Sequence, residues 1–180
     1  MATIALARPQ NVVFILADDL GWTDLSSFGS ELYHTPNIDR LGREGMRFDR
    51  AYAVRKVCSP TRAAILTGRY PATLHLTDWI SGHQRPFAKL RIPDWKMELD
   101  LKEPNLARRF HDAGYATAHV GKWHLGEEPF WPDHQGFELN VGGWSIGSPY
   151  HAGGANGYFS PNRILRGQSH RTLQRGSRYR

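Results

Sequence analysis

The stretch Val57 to Pro71, VCSPTRAAILTGRYP, decides how the rest of the chain is read, and it holds the one cysteine among 180 residues. Pro60 in a first turn, the apolar Ala63, Ala64, Ile65 and Leu66, and Gly68 with Arg69 as a stop signal predict a short helix. Cys58 stands at or just before the N-terminus of that helix, and Arg62, four positions on, shares its face. A helix N-terminus with orphan N–H groups and a neighbouring guanidinium suits an anion. The pentapeptide C-x-P-x-R by itself fits a buried free cysteine beside a surface arginine at least as well.

Upstream, Asn11 to Ala17 (NVVFILA) is a continuous apolar run, rich in β-branched residues and short enough for a strand buried on both faces of a parallel sheet. It ends in Asp18-Asp19. Ligands gather beyond the carboxyl ends of strands in open α/β sheets, and two adjacent carboxylates there suit a hard divalent cation, Ca²⁺ or Mg²⁺. A solvated turn into Leu20-Gly21 is the other reading of the dipeptide. Asp24 is read as a structural residue that caps or orients the loop. Thr35 followed by Pro36, with Ile38 and Leu41 on one face and Gly45 as stop, predicts a scaffold helix, in which His34 has no assigned role.

Downstream, periodicity fails from Leu74 to Leu101, where Trp79, Trp95, His75, His83, Gly82, Pro86 and Pro93 describe a long aromatic loop. Its tryptophans either stack on sugar faces or glue the loop to the body. Glu103-Pro104-Asn105-Leu106 opens a second scaffold helix with Leu106, Ala107 and Phe110 on one face and Gly114 at its end. Tyr115 to Val120 returns to strand character and delivers Gly121-Lys122-Trp123-His124-Leu125-Gly126. In an extended segment Lys122 and His124 point to one side and present a fixed cation with a titratable imidazole; an ordinary surface pair is the alternative.

The bulk properties are those of a globular chain, 40% hydrophobic and 12% aromatic, with a net charge of +6. That charge resides in a tail. Residues 163–180 hold Arg163, Arg166, Arg171, Arg175, Arg178 and Arg180 and no acid, so the preceding body carries 17 basic and 17 acidic groups. A neutral body argues against nucleic acid as a partner, and arginines without interleaved aromatics are weak support for it. No run of 18 apolar residues exists to span a membrane. The start, MATIALARP, lacks the basic segment of a signal peptide, and localisation is left open.

Taken together these stretches resemble the sulfatases, specifically the cysteine type within the alkaline-phosphatase-like superfamily. CSPTR followed by AAILTGR is similar to their signature, and NVVFILADDLGWTDL to their opening strand and metal loop. HTPNIDRLGREGMRFDRAYA resembles the segment between the two, and DWISGHQRPFAKLRIPDW a corresponding loop with no catalytic role. GKWHLG resembles the motif whose lysine holds the sulfate and whose histidine contacts the nucleophile. PDHQGFELNVGG continues the likeness as a loop near the site, and Tyr158-Phe159-Ser160-Pro161 is its last match.

The resemblance implies an α/β fold, a mixed, mainly parallel sheet flanked by helices. Residues 1–9 would be an extension, 10–161 the N-terminal part of the catalytic domain, and 162–180 a disordered basic tail. It further implies that Cys58 is oxidised by a formylglycine-generating enzyme to Cα-formylglycine. One hydroxyl of its hydrate, coordinated to a Ca²⁺ or Mg²⁺ held by Asp18, Asp19 and the residue made from Cys58, attacks the sulfur of a sulfated small molecule or polysaccharide. Lys122 and Arg62 offset the developing charge, and His124 takes the proton that lets the aldehyde return.

Further ligands and a leaving-group acid expected of the family are not encoded in these residues, so a truncated chain, inactive by itself, is expected. A phosphonate or phosphate monoester hydrolase sharing C-x-P-x-R, or a non-catalytic remnant, are the alternatives.

Overall fold

A computed structural model describes residues 9–82 and 86–148. The chain divides into two compact units, Met1–Arg50 and Ala51–Arg180. Nearly all of the 1–9 extension, the Tyr158–Pro161 match, His83 and the 162–180 tail lie outside the described residues.

In the first unit, helix α1 (Pro36–Glu44) forms where the sequence predicts it, with proline at its first position and Gly45 closing it through a bond to the Leu41 carbonyl. Thr35 precedes the helix but does not cap its N–H groups. Its hydroxyl donates instead to Asp39 Oδ1 at 3.0 Å and accepts from the Ser26 N–H at 3.0 Å. Asp39 is the buried side chain of α1 and also accepts from the Ser27 N–H at 3.1 Å, which fastens the 3₁₀ turn Ser26–Phe28 to the helix. Burial pushes this carboxyl up, but its bonds to Thr35 and Ser27 and the charge of Arg43 bring it below its ordinary value. Ile38 and Leu41, the expected inward face, are 49% and 65% exposed.

The run 11–17 is not a strand in this structure. Among the described residues it pairs with no strand, and it is open to solvent, with Val13 84% and Ile15 82% exposed. A parallel strand takes its backbone hydrogen bonds from neighbouring strands, and the described residues of this unit include no other strand to supply them. Apolar patterning reports a burial that the segment cannot create alone.

In the second unit, α2 (Cys58–Thr67) begins at the cysteine and stops at Gly68, whose φ of 68° is the left-handed value glycine tolerates and whose N–H reaches the Ala64 carbonyl at 2.8 Å. A single turn, α3 (Pro71–Leu74), follows directly and was not legible in the pattern. Helix α4 (Leu106–Asp112) is capped by Asn105, whose side chain accepts from the Arg108 N–H at 3.1 Å. Strand β1 (Ala118–Val120) pairs in parallel with β2 (Leu139–Val141), in the register Ala118↔Leu139. The segment PDHQGFELNVGG, expected as a loop, therefore carries a 3₁₀ turn and the second strand. Parallel strands need a crossover of a dozen residues or more, and 121–138 is that crossover.

The core gathers Ala63 from α2, Leu74 from α3, Leu76 and Leu99 from the two ends of the long loop, and Trp123 and Leu125 from the crossover. Each large apolar side chain so buried contributes about 1.5–3 kcal/mol. The loop is thus pinned at both ends, with the Leu99 N–H bonded to the Leu125 carbonyl at 2.9 Å. Gln135, fully buried, ties it further: its amide donates to the Leu99 carbonyl at 2.7 Å and accepts from Asn105 Nδ2 at 3.0 Å. Among the described residues no helix is long and apolar enough to cross a membrane.

Candidate active site

Four of the six residues singled out in the sequence fall in the second unit, where α2 and the crossover meet. Cys58 is the first residue of α2 and half-buried. Its Sγ lies 3.2 Å from Nδ1 of His124, a residue 66 positions away in sequence. The other ring nitrogen, Nε2, is bonded to the carbonyl of Ile80. A carbonyl only accepts, so Nε2 carries a proton and Nδ1 is the nitrogen that takes or gives one at the sulfur.

His124 is 4% exposed and its backbone adopts φ 59°, a left-handed conformation that costs a non-glycine residue about 1–2 kcal/mol. Its own N–H donates to the Trp144 carbonyl at 3.1 Å, which holds the turn. The predicted alternation survives although the segment is no strand: Trp123 and Leu125 enter the core, while Lys122 and His124 both act on Cys58. Burial pushes the Cys58 thiol up; the bond to His124, the charges of Lys122 and His124 and the Ser59 N–H outweigh it and leave the thiol below its ordinary value.

Arg62 reaches the same group indirectly. Its guanidinium donates to the Lys122 carbonyl at 2.5 Å, so α2 fixes the backbone that carries the lysine. The Lys122 charge, the start of α2 and the Cys58–His124 contact thus fall together, with Arg62 bracing the Lys122 backbone.

Three contributors had no signal in the sequence. Ile80 acts through its backbone: its carbonyl fixes the His124 tautomer while its N–H donates to Oγ of the fully buried Ser59 at 3.2 Å. The long loop is therefore part of the site. Gly147 packs on the His124 ring so closely that a methyl group there would sit 2.4 Å from Cε1 and 2.5 Å from Nδ1. His119 stands behind the site, edge-on to Trp123 and Phe137, with its Nδ1 buried and without a hydrogen-bond partner among the described residues. Burial, and next the charge of Arg62, push its pKa down to about 4, against smaller upward pulls from Asn140, the Lys122 backbone and Asp133.

Asp18 and Asp19 lie in the first unit. Asp19 turns through φ 56°, and Asp24 accepts the Gly21 N–H at 2.7 Å, which closes the loop as an orienting residue should. Adjacent carboxylates are donors of the right kind for Ca²⁺ or Mg²⁺, which take six or more oxygens. Among the described residues no three His, Cys, Asp or Glu side chains are grouped to hold a metal ion. The donor set fits such a cation in kind and falls short in number.

The sequence profile of the sulfatase family matches residues 10–175. The chain belongs to the sulfatase family. It is 40% identical to human (Homo sapiens) arylsulfatase A over 144 residues, 78% of this chain and 26% of that protein. It is 41% identical to pig (Sus scrofa) N-acetylgalactosamine-6-sulfatase over 133 residues, 73% of this chain and 25% of the relative. The crystal structure of Ps i-CgsB in complex with k-i-k-neocarrahexaose superposes with a TM-score of 0.57 at 31% identity, covering 70% of this chain and 26% of that one.

This sulfatase chain thus spans about a quarter of the length of the curated relatives it matches. The parallel pair with its helices matches part of an α/β, alkaline-phosphatase-like fold.

Proposed function

We propose that this chain is the nucleophile-bearing part of a sulfuric ester hydrolase whose substrate is a sulfated small molecule or saccharide. The observation that carries the reading is the 3.2 Å contact between Cys58 Sγ and His124 Nδ1 at the first residue of α2. The names of the matched relatives, an arylsulfatase and an N-acetylgalactosamine-6-sulfatase, and a related structure holding a carrageenan oligosaccharide support the substrate class.

Cys58 is the residue converted by a formylglycine-generating enzyme; the Cα-formylglycine supplies a hydrated aldehyde with one hydroxyl for attack and another for release of sulfate. His124 accepts a proton at Nδ1 from the group at position 58, because its Nε2–H is committed to Ile80. Lys122 places its charge beside that group, and Arg62 holds the Lys122 backbone in position. The orphan N–H groups opening α2 add donors for sulfate oxygens. Asp18 and Asp19 would supply two of the oxygen donors for a Ca²⁺ or Mg²⁺ ion, which would give Lewis-acid assistance when bound.

The test is a competition between an aryl sulfate and an aryl phosphate, with position 58 converted and Ca²⁺ present, in a full-length relative carrying these residues. Preferred hydrolysis of the sulfate, reduced about 10²- to 10⁴-fold by His124→Ala, is the expected result. Preference for the phosphate would move the chain to the phosphate monoester hydrolases of the same superfamily.

A further inference from the structure

The tryptophans of the 74–101 loop separate into two kinds. Trp95 packs on Gly82 so tightly that a methyl group on that glycine would overlap its ring, 1.9 Å from Cζ2, and its Nε1 is buried with no hydrogen-bond partner among the described residues. It holds the loop to itself. Trp79 is half-buried, with its ring centroid 6.4 Å from that of His124 and the two planes tilted by 57°. It borders the nucleophile position.

Nor is it free to swing away. Its own N–H is taken by Asp78 Oδ1 at 2.8 Å, and the next residue, Ile80, is fastened on both sides, by Ser59 at its N–H and by His124 at its carbonyl. An aromatic residue whose backbone and the next residue's are held through three polar groups, beside a proton-transfer group, forms a preorganised wall, and its partly open indole is a flat, electron-rich surface. The axial C–H bonds of a pyranose carry small positive charge and match that surface.

Resting on the sulfate-ester reading above, we infer that Trp79 is a specificity-determining residue that stacks on the pyranose ring bearing the sulfate and so favours sulfated saccharides over ringless sulfate esters. The geometry places recognition next to chemistry: sulfate at Lys122 and the α2 N-terminus, ring on the indole.

The test uses the full 180-residue chain and two probes, galactose 6-sulfate and ethyl sulfate, with binding read by calorimetry and by saturation-transfer NMR. Saturation is expected to reach the ring C–H protons of galactose 6-sulfate. Trp79→Ala should weaken that ligand about three- to tenfold and leave ethyl sulfate within twofold. Trp79→Leu, which keeps apolar bulk without an aromatic face, should behave like Trp79→Ala while preserving the loop; Trp79→Phe should recover part of the affinity. Equal weakening of both esters, or no change in either, overturns the inference. Failure of ethyl sulfate itself to bind, or binding unaffected by Lys122→Ala, removes the sulfate site and the inference with it, which separates the two failures.

Discussion

Gly147→Ala tests the packing of the site without touching a polar group. The added methyl would lie 2.4, 2.5 and 2.9 Å from Cε1, Nδ1 and Nε2 of His124, where carbon contacts normally need about 3.5 Å or more, so the ring must retreat by roughly 1 Å. It has no slack, since Nδ1 is engaged by Cys58 at 3.2 Å and Nε2 by the Ile80 carbonyl. Overpacking costs about 1–3 kcal/mol and a lost hydrogen bond about 0.5–1.5 kcal/mol. A destabilisation of about 2–4 kcal/mol corresponds to a Tm lower by about 5–15 °C in a chain of this size. A displacement of about 1 Å at the proton acceptor lowers catalysis about 10²-fold in an active protein. Thermal unfolding by circular dichroism and the NMR shifts of the His124 ring protons measure both effects. Gly42→Ala, in α1 with open space around it, is the control and should be neutral or stabilising by about 0.5–1 kcal/mol. A Gly147→Ala chain that melts within about 1 °C of the parent, with unshifted ring protons, refutes the reasoning.

Acid should destabilise the second unit through His119. An unfolded histidine gains its proton near pH 6.5 and this one only at about 4, so the unfolded state binds more protons in between. Stability is therefore fully present above about pH 6.5 and lost as pH falls toward 4, by at most about 3 kcal/mol; His119→Phe should flatten that part of a urea-unfolding profile, and a parallel profile contradicts it. Gln135→Leu strands the Leu99 carbonyl and the Asn105 amide and should cost about 2–6 kcal/mol in denaturant unfolding, an unchanged midpoint being the contrary result. Asp18 and Asp19 should bind Ca²⁺ only weakly in the 180 residues, because two carboxylates supply too few of the six to eight oxygens such sites generally use; tight, stoichiometric binding by calorimetry would show a complete site of another kind.

Helix positions were readable because their signals are local: Pro36 and Gly45 bracket α1, and Gly68 ends α2 within a residue of the expected place. The pairing of Cys58 with His124 was legible only through the family resemblance, since 66 residues separate them and no spacing rule links them. Ile80 acts through a carbonyl, which every residue type has, so composition could not mark it. Gly147 matters for the space it leaves, and a glycine near a strand end gives no sign of which ring it faces. The buried Gln135 reads as an ordinary loop polar residue until its two partners are seen. The 11–17 run shows the reverse failure, a strong strand pattern that forms no strand, the described residues of its unit offering no other strand to pair with.

The central claim is that Cys58, at the head of α2, is the residue on which the chemistry is built. Its most direct measurement is mass spectrometry of the peptide spanning Cys58 after coexpression of the 180-residue chain with a formylglycine-generating enzyme. The thiol should be replaced by the aldehyde, and a Cys58→Ala chain should show no such change. An intact thiol, under conditions that convert a control sulfatase, would contradict the claim.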